Sequence, residues 1–217
     1  MYYLIIFICF QITFLFPQNI TTIKIQGNKK TKDYIILREI QQRINSELDS
    51  ENITKDKNRI YNLGLFSSVD IEIIENTYLV TVNEVWYMWP FPIIEYDNEK
   101  SGSEKFSYGG GFVHNNFRGR NENISTGMTL GSVEEYFLWY KNPWISGDHN
   151  SIEVGIYDES SNHHVYNIIE KNKGFFLEGG FYRGYENKFN SSIYYENKSI
   201  QNVDIIDTNK DSLDSKY

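Results

Sequence analysis

Residues 20–86 set out, in order, a strand, a turn, two helices and two more strands, and few folds accommodate that order. Ile23 and Ile25 alternate with Lys24 and Gln26, as in a half-buried strand, and Gly27-Asn28 follows as a turn pair. Thr31 is placed to cap a first helix, with Asp33 in its first turn. Ile36, Ile40 and Ile44 fall four apart, so one apolar stripe faces a sheet. Asn45 to Glu51 is a polar connector. Thr54 and Asp56 open a second helix that buries Ile60 and Leu63, and Gly64 supplies the left-handed residue that ends it. Val69, Ile71 and Ile73 then alternate with Asp70 and Glu72, one dry face and one wet. Asn76 turns the chain into Leu79-Val80-Thr81-Val82. Two helices on one face of a three-stranded sheet make a small α+β layer.

Two phrases in this unit carry a resemblance. Ile23-Lys24-Ile25-Gln26-Gly27-Asn28-Lys29-Lys30-Thr31 opens it, and Leu63-Gly64-Leu65-Phe66-Ser67-Ser68-Val69-Asp70-Ile71 closes its second helix. In a β-α-α-β-β order they resemble a POTRA domain, the periplasmic polypeptide-handling module of the BamA/TamA superfamily of outer-membrane insertases. The resemblance implies that the edge strand Val69, Asp70, Ile71, Glu72, Ile73 and Ile74 binds client polypeptide by strand addition, through main-chain hydrogen bonds. Read from the residues alone, Asp70 and Glu72 equally suit an edge that charges merely protect.

Trp86 to Pro92 marks a boundary, and residues 87–105 read as a linker, because Pro90 and Pro92 break regular pairing. Its aromatics suit either a membrane interface or a plug between two domains. From Phe106 the helical period stops. Short alternating runs follow: Phe106 to Val113, Ile124 to Gly131, Tyr136 to Lys141, Ile152 to Tyr157, Gly174 to Arg183 and Lys188 to Glu196. Small or polar residues on one face and apolar ones on the other suit membrane strands, and a soluble sandwich has the same period. In the membrane reading Ile124, Met128, Ile152 and Ile156 face lipid.

Tyr108-Gly109-Gly110-Gly111-Phe112 and the phrase Asn115-Asn116-Phe117-Arg118-Gly119-Arg120 resemble the opening strand and first turn of the superfamily's barrel. Tyr140-Lys141-Asn142-Pro143-Trp144-Ile145 resembles its turn after the third strand. The resemblance makes Phe106, Tyr108, Gly109, Gly110, Gly111 and Phe112 the lateral seam strand, weakened by glycine and open to client strands. Residues 106–200 then hold the N-terminal strands of an antiparallel transmembrane β-barrel. At roughly 9–11 residues per membrane strand plus turns, about six to eight strands fit, too few to close the superfamily's barrel. Residues 201–217 are a polar tail without a terminal aromatic strand, so the chain reads as an N-terminal piece of a larger protein.

Residues 1–18 read as a signal peptide: Met1 to Phe16 carry no charge and are shorter than the roughly 20 residues of a spanning helix. An uncleaved anchor is the alternative, since no Lys or Arg precedes Lys24 and no A-x-A site follows. Cys9, the single cysteine, excludes an internal disulfide and a Cys-based metal site. The net charge of −8 leaves no basic footprint for nucleic acid. Gly109-Gly110-Gly111 lacks the following Lys-Ser/Thr of a phosphate loop, no serine sits in G-x-S-x-G, and no acid–base pair stands out. His114, His149, His163 and His164 fall in turns without ligand spacing. The expectation is therefore a non-enzymatic protein without cofactor or metal. Its expected place is the bacterial outer membrane with the POTRA domain in the periplasm. Its expected partners are unfolded outer-membrane protein precursors, outer-membrane lipid and accessory assembly subunits. A secretion pore of the same superfamily, or a small barrel or adhesin with a periplasmic domain, is the alternative.

Overall fold

The computed structural model describes residues 19–96, 106–146, 150–162, 168–183 and 187–202. The expected signal peptide with Cys9, the Asn98 to Lys105 linker, His149, His163, His164 and residues 203–217 of the tail lie outside them. The chain divides into two compact units, one of residues 1–29 and 33–84, the other of residues 30–32 and 85–217.

The first unit runs β1 (Asn19–Ile20), β2 (Thr22–Gln26), α1 (Asp33–Leu37), β3 (Ser46–Glu47), α2 (Ser50–Tyr61), β4 (Phe66–Ile74) and β5 (Thr77–Glu84). This is the expected β-α-α-β-β order, with β1 and β3 added as a short antiparallel pair. The main sheet has the order β2-β5-β4, parallel between β2 and β5 and antiparallel between β5 and β4. Register puts Val69, Ile71 and Ile73 on the face shared with Val82, Val80 and Tyr78, and those three β5 residues are fully or nearly fully buried. Ile35, Ile36, Ile60 and Leu65 complete that core. Asp70, Glu72 and Ile74 take the other face with Thr81, Leu79 and Thr77.

Both helices depart from their expected bounds, for one reason each. The stripe Ile36–Ile40–Ile44 predicts a longer first helix, yet α1 ends at Leu37 and Ile44 is 54% exposed. Beyond Leu37 the backbone tightens, with Glu39 N–H donating to Ile36 O and Ile40 N–H to Leu37 O. The next two amides, of Gln41 and Gln42, donate instead to the Asp56 carboxylate at 2.8 and 3.3 Å. α2 starts at Ser50, not at Thr54, because the Asp49 side chain accepts from Glu51 N–H at 2.9 Å and caps it. Asp56, expected to open that helix, is fully buried inside it and also accepts from Tyr78 Oη at 3.0 Å. Burial and this carboxylate hold the Tyr78 phenol well above the usual tyrosine range. Gly64 follows the helix with φ of 69°, as expected of its stop, and Leu63 is only half-buried.

The second unit is a seven-stranded antiparallel meander in which every strand neighbours the next: β6 (Met88–Tyr96), β7 (Phe106–Phe117), β8 (Glu122–Gly131), β9 (Val133–Asn142), β10 (Asn150–Asn162), β11 (Ile168–Arg183) and β12 (Asn187–Asn202). The linker expected over residues 87–105 thus contains a strand. Pro90 and Pro92 sit two apart, so both fall at positions whose amide points away from β7, and the β6–β7 ladder loses no donor. Tyr87 O accepts from Asn115 N–H at 2.9 Å, which fixes that parity. The phrase ending Arg118-Gly119-Arg120 is the turn between β7 and β8, where Arg118, Gly119 and Asn121 all have positive φ. Thr31, read as a helix cap, belongs to this unit: it accepts from Asn116 Nδ2 at 2.9 Å and shares a hydrogen bond with Tyr87 Oη.

Residues paired across neighbouring strands share a face, so the register sorts the whole sheet. One face carries Met128, Tyr136, Leu138, Ile156, Phe175 and Ile193, all exposed. Ile124 and Ile152, with Met128 and Ile156, fall on this apolar face as the alternation predicts. The other carries Ser107, Thr129 and Ser151, all buried, and charged residues such as Glu153 and Glu178. Four rings on it lie over a neighbouring strand's glycine: Phe91 over Gly111, Phe137 over Gly127, Phe176 over Gly155 and Tyr157 over Gly174. A Cβ added at any of these glycines would come within 2.2–2.6 Å of a ring or hydroxyl atom.

Candidate strand-addition edges

Open sheet edges are the chemistry this chain offers. Each sheet ends in strands whose outer backbone groups meet no further strand among the described residues. In the first unit those strands are β2, of five residues, and β4, of nine. β4 holds all six of Val69, Asp70, Ile71, Glu72, Ile73 and Ile74, each paired with β5 on its inner side. A bulge between Phe66 and Ser68 breaks the ladder just before this run. Val69 is buried under α2, so the strand is anchored at that end and more exposed toward Ile74. Lys57 of α2 reaches Asp70 at 2.9 Å, and both side chains are about half exposed or more. Such a pair contributes little stability, so it is a light guard on the edge.

In the second unit the residues expected to form a seam lie in an inner strand. Phe106, Tyr108, Gly109, Gly110, Gly111 and Phe112 lie in β7, which pairs with β6 on one side and β8 on the other. Among the described residues the outer strand is β6, where the prolines that read as breakers cost the sheet no pairing. The Asn142-Pro143 turn follows β9, the fourth strand of this sheet, and not the third. The glycines have a packing role here: Gly111 receives the Phe91 ring, and a Cβ at Gly109 would lie 1.9 Å from Met128 O. Pro90 and Pro92 stand two apart, and that shared parity was the sign in the sequence that both could sit on one unpaired side of a strand.

Among the described residues, no three His, Cys, Asp or Glu side chains group as a metal site, and no helix is long and apolar enough to cross a membrane. The latter says nothing of strands, which cross as barrels.

The chain thus joins an α+β domain whose β4 is an outer strand of nine residues to an antiparallel sheet with one apolar face. The profile of the POTRA family, described as "Surface antigen variable number repeat", matches residues 18–85, so the first domain is a POTRA domain. BamA from Haemophilus ducreyi lacking POTRA domains 1-3 has a similar fold: TM-score 0.67 at 20% identity, over 85% of this chain and 36% of that one. CdiB from Escherichia coli is similar with TM-score 0.51 at 14% identity, over 84% of this chain and 38% of that one. At these identities the likeness is one of fold, and this chain spans little more than a third of either structure's length. No curated protein matches the sequence.

Proposed function

We propose that the protein is an outer-membrane assembly factor that captures unfolded β-barrel precursors and templates their insertion. The observation carrying this reading is the open β4 edge in a POTRA domain, placed ahead of a sheet with the fold of BamA. Its action is non-covalent and uses no cofactor: an extended precursor adds to Val69–Ile74 through its backbone, which reads few side chains and so serves many clients. The POTRA domain works in the periplasm, and the apolar face of the second sheet, with Met128 and Ile156 exposed on it, meets outer-membrane lipid. Precursors, lipid and accessory assembly subunits are its partners, and nucleic acid is not.

Photo-crosslinking along residues 69–74 with unfolded precursors tests this. Glu72 is the cleaner probe site, exposed on the face away from the helices and free of the ion pair that Asp70 makes. Crosslinks to several unrelated precursors are expected; crosslinks only to the helices, or to one precursor alone, would refute general strand addition. A secretion pore on the same fold predicts a different product, a client released beyond the membrane and not one left inserted in it.

A further inference from the structure

The turn between β7 and β8 carries a cationic patch, on a chain whose net charge is −8. Gly119, with φ of 73° and no Cβ, lets the Lys30 carbonyl come close, where a Cβ would lie 2.0 Å from it. Lys32 N–H donates to Gly119 O at 2.9 Å. Thr31, between the two lysines, is buried and bonded to Asn116 and Tyr87, and Lys30 and Lys32 are left exposed on either side of it. This three-residue strap, part of the second unit, sets two lysines beside Arg118 and Arg120. Glu122 answers Arg118, through two bonds of 2.8 and 2.7 Å. Among the described residues no acid pairs with Lys32 or Arg120. Lys30 Nζ stands 5.8 Å from the centre of the Trp86 ring, which is 59% exposed. Lys29 and Asp33, next along the chain on either side, carry opposite charges. Both β7 and β8 have a neighbouring strand on each side, so the patch does not depend on a sheet edge.

We infer that Lys30, Lys32 and Arg120, with Trp86, bind the phosphate of an anionic phospholipid headgroup such as phosphatidylglycerol. The inference rests on the membrane reading above. Two observations favour a lipid over another anion. The first is depth: Phe112, Leu138 and Ile156 share one register row on the apolar face of the same strands. Arg118 follows Phe112 by six residues, which is roughly 20 Å of strand, or about 14–17 Å of depth at a tilt of about 35–45°. With that row at mid-height, half of a roughly 25 Å apolar band ends just short of the turn, and the cations stand at headgroup level. The second is the pairing of Lys30 with an exposed tryptophan. At that level the indole lies against the acyl boundary while the ammonium meets phosphate.

Flotation of the full chain with vesicles of phosphatidylcholine, alone or mixed with phosphatidylglycerol, tests this, and the readout is the ratio of the two partition constants. A Lys or Arg at an anionic surface strengthens binding about fivefold, so Lys32→Gln/Arg120→Gln should lower the ratio about 25-fold. Binding to phosphatidylcholine alone should not change. Both substitutions keep the backbone bonds that hold the strap and the turn. Lys171→Gln/Lys198→Gln removes two charges at the other end of the strands and should leave the ratio as it was. An equal fall in both variants would make the effect one of net charge and overturn the inference, as would no fall in the first. Inorganic phosphate should compete no better than chloride at equal ionic strength; displacement by phosphate in particular would mark a free-anion site and overturn the headgroup assignment. An unchanged ratio with weaker capture of an unfolded precursor would make the patch a protein site instead. A chain that floats with neither vesicle would remove the membrane reading itself, and the inference with it.

Discussion

Asp56→Leu should be the most damaging conservative-volume change in the POTRA domain. The Asp56 carboxylate lies fully buried and receives three donors: Gln41 N–H at 2.8 Å, Gln42 N–H at 3.3 Å and Tyr78 Oη at 3.0 Å. A leucine of similar size fills the space and answers none of them. A buried donor left unsatisfied costs about 1–3 kcal/mol, so three put the loss at about 3 kcal/mol or more. That is a large share of the roughly 5–15 kcal/mol by which a domain is stable. Tyr78→Phe removes only one donor and leaves the carboxylate two, so its cost should be about 1–2 kcal/mol. Urea unfolding of a segment spanning residues 18–85, followed by far-ultraviolet circular dichroism, measures both. The double variant adds the discriminating value: in an Asp56→Leu background, Tyr78→Phe should be nearly neutral, because the hydroxyl has already lost its acceptor. If Asp56→Leu costs less than about 1 kcal/mol, the carboxylate does not organise the α1–α2 connection and the reasoning fails.

Residues 20–86 should fold alone, with a cooperative melt and a mixed α/β spectrum; a disordered spectrum would remove them as a domain. The Tyr78 phenol is held neutral in the fold by burial and Asp56, so it opposes folding only at a pH where the unfolded chain's tyrosine ionises. Stability is thus intact below about pH 10 and falls as pH rises above it, by up to about 1.4 kcal/mol per unit from this group, a slope that Tyr78→Phe should abolish. At Gly64 an added Cβ meets nothing within 4 Å, so Gly64→Val should cost only its backbone conformation, somewhat over about 1 kcal/mol. Gly27→Ala should cost more, since its Cβ would lie 1.9 Å from Val82 O, and urea midpoints of the two variants rank them. Ile156→Arg, on the apolar face, should reduce lipid integration by about 2–4 kcal/mol if that position lies near the bilayer centre, whereas Glu153→Gln on the opposite face should leave it unchanged in a vesicle folding assay.

What the sequence disclosed depended on whether a local signal met a competing long-range one. The β4 and β5 alternation and the Gly64 stop were legible because each expresses a single residue's preference or a period of two that the sheet then uses. Ile36, Ile40 and Ile44 were misleading because a carboxylate fifteen residues along the chain from Gln41 takes the amide that a longer helix would have used. Asp56 itself looked like one more helix-opening acid; nothing local distinguishes a capping carboxylate from a buried one. The prolines of β6 were read as breakers because their effect depends on which side of the strand is paired, and pairing is set by β7, beyond residues 97–105. That Val69–Ile74 takes client strands is implied by the resemblance alone; the sheet order makes β4 an outer strand among the described residues and carries no client.

The rings laid over glycines have a consequence for how the second sheet assembles. Phe91 and Gly111 join β6 to β7, Phe137 and Gly127 join β8 to β9, and two such pairs, Phe176 with Gly155 and Tyr157 with Gly174, join β10 to β11. These fasteners fall within three successive hairpins and skip the junctions between them. A slip of one residue inside a hairpin would lift each ring off its glycine onto the wrong face, whereas the β7–β8 and β9–β10 junctions carry no such lock. Six of the seven strands are therefore joined into three pre-registered units, with β12 added to the last of them, and errors of alignment during the sheet's formation concentrate where one unit meets the next.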